Sequence, residues 1–272
     1  MKPRAAALAP LYVPAVLISV GAYLVPALFL LMISLRTESG FLTEPLGLPH
    51  ALRLINYVQA WKDASMGRYF LNSVFYSVTI PAVVLILSSF AAFPVARGYV
   101  RGAALVYVIF LSGLFLPGGL IPLFVESMKL HLYNSRLGYV VLQSGGVLSF
   151  FFFAGYVRTI PRELDEAAVV DGCGYFRYVV TVLWPLMRPA LATMGLFSAI
   201  GTWNNLIGPV VFLQSPALYP LTRGLFMFYG QYSSQWPLLA AAVVIVSSPL
   251  VVLFLLLQRY IVSGALAGAI RG

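Results

Sequence analysis

Six stretches of this chain run for about 20 residues or more with no Asp, Glu, Lys, Arg or His, the length a helix needs to cross a bilayer. They are residues 11–35, 69–96, 102–125, 137–157, 189–222 and 224–258. Within the last two, helices are expected to end near Gly208 and to start near Trp236. Internal prolines such as Pro14, Pro26, Pro81, Pro117 and Pro122 would break soluble helices, but membrane helices tolerate them where neighbours satisfy the freed backbone groups. The runs are continuous rather than alternating, which disfavours a barrel. The whole chain agrees: 61% of its 272 residues are hydrophobic and 9% are charged. A soluble domain carries about 25% charged residues, and no single core of this size could bury so much apolar surface. The expectation is an all-α integral membrane protein with six transmembrane helices, not a soluble enzyme.

The first stretch follows Lys2 and Arg4, as a signal peptide would. It is too long for such a leader and no small-residue cleavage site follows it, so it is read as a span. With the N-terminus inside, six spans place the C-terminus inside too. Ten of the seventeen basic residues then lie inside: Lys2, Arg4, Arg97, Arg101, Arg158, Arg162, Arg177, Arg188, Arg259 and Arg271. That bias fits the positive-inside rule, with the tight 96–102 hairpin as its best local support. The formal charge of +9 is therefore read as membrane orientation, not as a nucleic-acid footprint.

The spans lack the charged groups that mark proton relays and voltage sensors. A proton- or sodium-coupled carrier is disfavoured, although sodium sites built from carbonyls and hydroxyls stay open. There is no G-x-x-x-x-G-K-[ST] phosphate loop, so energy must come from outside the chain. Cys173 stands alone, and His50 and His131 form no metal-ligand spacing. An intramembrane enzyme would need Asp pairs, a His-Glu motif or a Ser-His dyad at span depth, and none is present.

One loop breaks the pattern. Glu163, Asp165, Glu166 and Asp171, half of the chain's eight acids, fall within nine residues between the fourth and fifth spans. Thr159 is placed to cap a helix there, Pro161 suits its first turn, and acids near that end complement the helix dipole. Gly172 and Gly174 end it. Leu164, Ala167, Ala168 and Asp171 then share one face whose middle is small methyl groups. Such a face, flanked by carboxylates, suits a groove on another protein; on charge alone an ordinary solvated loop helix reads as well.

Glu166-Ala167-Ala168, three residues, Gly172, nine residues, then Val182-Leu183-Trp184-Pro185 resembles the E-A-A-x3-G-x9-I-x-L-P signature of the membrane subunits of bacterial ABC importers. Val182 replaces Ile, and Trp184 replaces the usual Leu. Asn56-Tyr57, Tyr69–Ser73, Trp203-Asn204-Asn205 and Tyr219–Thr222 are similar to the carbohydrate-importer branch. The tail Gln258–Gly272 resembles that of MalG-type permeases, with Arg271 where Lys is common.

The resemblance implies a MalG/MetI-like type I importer permease fold in the bacterial cytoplasmic membrane. Residues 1–10 would form the cytoplasmic N-terminus, 11–260 the permease domain with its coupling-helix loop at 159–188, and 261–272 a cytoplasmic Gly-rich tail. It implies that Glu166, Ala167, Ala168, Asp171, Gly172 and Pro185 couple to an ATPase, and that Gly268, Arg271 and Gly272 of the tail reach the same partner. ATP and Mg would be bound by that ATPase, a homodimer or heterodimer, with no cofactor in this chain. Further partners would be a second homologous permease and an extracytoplasmic solute-binding protein. The external segment 36–68, with Trp61, serves equally as a surface for that protein or as a connector. Sugars are gripped by aromatic faces and amide hydrogen bonds, which makes Asn72, Trp203, Asn204 and Asn205 path candidates; helix-to-helix bonding within the bundle is the alternative for each. The function expected is sugar or oligosaccharide import by alternating access. The same machine carrying glycerol phosphate or another polar solute, and a non-transporting scaffold, are the alternatives.

Overall fold

The computed structural model describes residues 3–49, 52–63, 65–115, 119–231 and 235–269, and among these there is no strand. In chain order come α1 (Pro3–Ser34), α2 (Glu38–Thr43), α3 (Ile55–Asp63), α4 (Met66–Arg97) and α5 (Ala103–Phe115). Next are α6 (Leu120–Lys129), α7 (Arg136–Gln143), α8 (Val147–Arg158), α9 (Glu163–Val170) and α10 (Tyr175–Tyr178). A π-helical turn (Val179–Leu183) leads into α11 (Trp184–Leu186) and α12 (Arg188–Asn204). The last are α13 (Ile207–Phe212), a 3₁₀ turn (Pro216–Leu218), α14 (Leu221–Gln231) and α15 (Trp236–Ala269).

Three stretches are long and apolar enough to cross a bilayer unbroken: Tyr12–Ser34 of α1, all of α4, and Trp236–Leu255 of α15. Three bent pairs add the rest: α5 with α6, α7 with α8, and the Tyr175–Leu186 segment with α12. Counting each pair once gives six. The final long helix starts at Trp236, as the sequence suggests. Elsewhere the expected continuous helices are interrupted, and the breaks have local causes.

Residues 137–157 bend by 50° between α7 and α8. Gly146 there adopts φ +51°, a left-handed conformation that glycine takes without a Cβ penalty, and an added Cβ would stand 2.6 Å from Ser88 Oγ. In the 189–222 stretch the helix stops at Asn204, not near Gly208. Asn205 is extended, and its Oδ1 accepts the Gly208 N–H at 3.0 Å, so the amide opens the next helix instead of continuing the last.

The chain divides into two compact units. In the first, residues 1–67 and 224–249, the buried Asn56 donates to the carbonyls of Ser34 and Arg36, both at 2.9 Å. These are carbonyls that the end of α1 leaves without helical partners. Arg36 is buried beside them and donates to Gly40 O at 2.7 Å and Pro45 O at 3.1 Å. The side chains of α1 itself, Leu17, Ile18 and Tyr23 among them, are largely exposed, as a helix facing lipid or a partner requires.

In the second unit, residues 68–223 and 250–272, the core has two parts. Tyr76, Ile80, Val84, Tyr139 and Phe212 pack at one end of α4, and Phe93, Phe150, Phe153, Val157 and Leu183 at the other. The segment between α13 and α14 is strapped down by side chains. Asn134, in the left-handed conformation at φ +51°, accepts the N–H groups of Gln214 and Ser215, both at 2.8 Å. Asn72 donates to Ala217 O and Tyr219 O, and Tyr76 to Leu218 O.

Candidate functional site

The acid-rich loop folds as α9, and its ends are set by residues other than those the spacing suggests. Thr159 terminates α8: it is the C-cap, and its hydroxyl donates back to Tyr156 O at 2.8 Å. The next helix starts later, at Glu163, with Arg162 at its N-cap. Glu163, Asp165 and Glu166 still crowd the first turn, where the helix dipole favours them.

Asp171 is the C-cap. Beyond it the Gly172 N–H reaches Val169 O at 3.0 Å, and the Cys173 N–H reaches Ala168 O at 2.8 Å. This pair of bonds is the Schellman arrangement, which needs a left-handed residue at the first position past the cap. Gly172 supplies it at φ +68°, and nothing lies within 4 Å of where its Cβ would be. The demand for glycine is thus conformational as far as this chain is concerned, with the space beside it open.

Leu164, Ala167 and Asp171 of the expected face are exposed, together with Glu163, Glu166, Val169 and Val170, the last at 87%. Ala168 of that face is half-buried against the core, and Asp165 is 4% exposed. Asp165 anchors the buried side. Its carboxylate pairs with Arg97 at the end of α4 (Nε to Oδ2 2.7 Å), accepts the Tyr99 hydroxyl at 2.8 Å, and accepts the Tyr178 hydroxyl from α10. The Tyr99 phenol is pushed above the ordinary tyrosine range, first by burial and then by the bond to Asp165, so it remains a protonated donor. A cavity of about 650 Å³ lies beside α9, with Phe93, Val169, Tyr175 and Glu166 in its lining.

The second half of the loop packs on α4. Tyr175 donates to Phe90 O, and Trp184 Nε1 donates to Ser89 Oγ at 3.0 Å. Trp184, the departure from the family pattern, is therefore accommodated by the hydroxyl of Ser89 and by the ring of the next residue, Phe90, which it meets edge-on. Leu183 is fully buried and Pro185 is exposed.

The path candidates separate. Asn72 is 3% exposed, and its amide is committed on both sides: Nδ2 to Ala217 O and Tyr219 O, and Oδ1 to Arg136 at 2.8 Å. Trp203 is buried and meets Phe70 edge-on. Asn205, two residues before α13, accepts the Gly208 N–H and donates to Gln143 Oε1 at 3.2 Å. Asn204, the last residue of α12, is exposed. Of the tail residues, Gly268 is in the final turns of α15, and Arg271 and Gly272 lie outside the described residues. The sequence reading missed Asp165, Arg97, Tyr99 and Tyr178 as a group. The one signal that could have found them is an arginine ending a span beside a loop rich in acids.

Residues 85–265 match the family described as binding-protein-dependent transport system inner membrane component. The diacetylchitobiose uptake system permease protein NgcG of Streptomyces coelicolor is 32% identical over 254 residues, covering 91% of this chain and 84% of that protein. The melibiose/raffinose/stachyose import permease protein MelC of Bacillus subtilis is 30% identical over 256 residues, covering 92% of each. Among solved structures, a bacterial ABC transporter involved in import of the acidic polysaccharide alginate superposes with a TM-score of 0.86 over 96% of this chain and 98% of the other, at 21% identity. That last likeness is one of fold.

Proposed function

The chain belongs to the binding-protein-dependent transport system inner membrane components, and from that membership we propose that it is the permease subunit of an ATP-driven importer of a sugar or oligosaccharide. The observation that carries this reading is α9: a helix anchored on one side by Asp165 and presenting Glu163, Glu166, Ala167 and Val170 on the other. It is held firmly enough to transmit force and shaped to enter a groove.

In this reading Glu166 pairs with a basic group of a separate ATPase, Ala167 permits close approach, and Gly172 turns the chain out of the groove. Asp171, Ala168 and Pro185 shape the same loop. ATP and Mg are held by the ATPase, and this chain does no chemistry. A second, homologous permease completes the path, and a solute-binding protein delivers cargo from outside. Both termini are cytoplasmic, and Gly268, Arg271 and Gly272 extend toward the ATPase. Closure of the ATPase pair displaces α9, and the attached spans rock between inward-open and outward-open states as rigid bodies. Sugar cargo is supported by the relatives' cargo and by the absence of charge within the six apolar stretches of the sequence. Of the four path candidates Asn204 is the exposed one, at the end of α12, and its role in this reading is to meet a hydroxylated solute.

The test is reconstitution with the co-encoded permease, ATPase and binding protein. Gly172→Leu combined with Glu166→Lys should abolish both sugar uptake and ATPase stimulation. Wild-type behaviour of that double variant would sink the docking model.

A further inference from the structure

We propose that Asp165 is a positioning residue of the transport cycle: paired with Arg97, it makes α9 and the adjoining end of α4 one mechanical piece, and α4 carries the displacement of α9 to the strapped segment 217–221 at its far end. The proposal rests on the reading of α9 as the helix an ATPase moves.

A carboxylate at 4% exposure is costly unless its lone pairs are filled. Those of Asp165 are filled from three directions. Arg97 approaches through Nε at 2.7 Å and Nη2 at 3.3 Å, Tyr99 at 2.8 Å from the hairpin after α4, and Tyr178 from α10. Arg97 Nη2 also reaches Pro161 O at 3.4 Å, just before α9. Apolar packing alone would let a short helix slide. A buried ionic network of this kind is directional and high-stakes, because moving one member strands the others.

The other end of α4 is held with the same specificity. Asn72 donates to Ala217 O at 2.8 Å and Tyr219 O at 3.0 Å, Ser73 Oγ accepts the Leu221 N–H at 2.7 Å, and Tyr76 donates to Leu218 O at 3.1 Å. All of these are side chains of α4 on the backbone of one segment, so that segment cannot shift while α4 stays. Between the two ends α4 is helical without a break from Met66 to Arg97. From Asn72 to Arg97 it rises about 38 Å. Ser88 and Ser89 join it midway to Gly146 and Trp184.

Such a trunk works in both directions, since coupling between two sites is reciprocal. Docking of a loaded binding protein near segment 217–221 would bias α9, and displacement of α9 would bias that segment.

The experiment uses the full complex, with the co-encoded permease and ATPase, in nanodiscs. The readout is the ratio of ATPase rates with and without the co-encoded binding protein saturated with raffinose or diacetylchitobiose, normalised to assembled complex. Asp165→Asn should lower that ratio at least about fivefold, the lower range of coupling between distant sites, and so should Ser73→Ala combined with Tyr76→Phe. A purely structural role would lower the amount of complex and leave the ratio per complex intact. Joining the two sets should do no more than the more severe one alone, because both interrupt one route. A wild-type ratio in Asp165→Asn, or additive losses in the joined variant, overturns the proposal. If Asp165→Asn does not assemble, Tyr99→Phe with Tyr178→Phe, which keeps the ion pair and removes two donors, decides: a lowered ratio sustains the proposal and a wild-type ratio overturns it. A wild-type complex that shows no stimulation refutes the importer reading itself, a result distinct from either.

Discussion

Replacing Gly172 separates conformation from space. A side chain at φ +68° costs about 1–2 kcal/mol in the left-handed region. If the turn yields instead of bearing that strain, it loses two hydrogen bonds, Gly172 N–H to Val169 O and Cys173 N–H to Ala168 O, each worth about 1 kcal/mol. Either route gives about 1–2 kcal/mol, a five- to thirtyfold change in the population of the closed turn. Hydrogen exchange at residues 168–174 reads that population directly. Gly172→Ala should lower protection there by that factor, and Gly172→Asn should lower it less, because asparagine tolerates the left-handed region. In the chain alone Gly172→Leu should match Gly172→Ala, since no atom lies within 4 Å of the added Cβ. In the assembled complex any excess penalty for Leu over Ala measures the wall of the partner's groove. Equal losses for Asn and Ala, or unchanged protection in Gly172→Ala, would refute the conformational account.

Trp184→Leu, which restores the residue common in the family, should still destabilise this chain by about 1–3 kcal/mol, because it removes the bond to Ser89 and the contact with Phe90; thermal melting in detergent checks it. At Asn134 the order of stability should be wild type above Asn134→Gly above Asn134→Ala: glycine keeps the left-handed turn but loses both acceptor bonds, and alanine loses all three features. Asn204→Ala should alter the apparent affinity for transported sugar with little change in melting temperature, whereas Asn72→Ala, which strands Arg136 and two carbonyls, should act mainly on melting. For Tyr99 the folded state favours the neutral phenol, so its contribution is complete below about pH 10, the unfolded value, and is lost as pH rises further. Tyr99→Phe should flatten that alkaline decline in a melting-temperature profile.

The six spans and the turn at Gly172 were legible because each follows from one residue's own chemistry: freedom from charge over a bilayer's length, and the φ that only glycine takes cheaply. The breaks within spans were less so. Gly146 and Asn205 stand in otherwise apolar runs. Gly146 meets Ser88, 58 positions earlier, which only the fold brings to it, and Asn205 breaks its helix through a bond to Gly208, three residues on, that the apolar run does not signal. The anchoring of α9 was hidden for a related reason. Periodicity ranked the small residues Ala167 and Ala168 together, but Ala168 is half-buried, on a helix held down by a carboxylate whose arginine lies 68 positions earlier in sequence. Arg97 had been counted only as an orientation charge. A residue can serve both ends, and nothing local distinguishes an arginine left in water from one drawn into a pair.

The π turn at Val179–Leu183, closed by the Trp184 N–H on Val179 O, is an α-helix carrying one supernumerary residue. The nine positions between Gly172 and Val182 therefore include part of an insertion. Removing a single residue there would relax the turn to ordinary α and leave Trp184 and Pro185 facing α4 much as before, because the wider turn takes up its extra residue locally. Removing one from the regular turns of α12 instead would swing everything beyond it by about 100°. The π turn is thus a slack link between the docking helix and the fifth span, the place where a change of length is most cheaply absorbed.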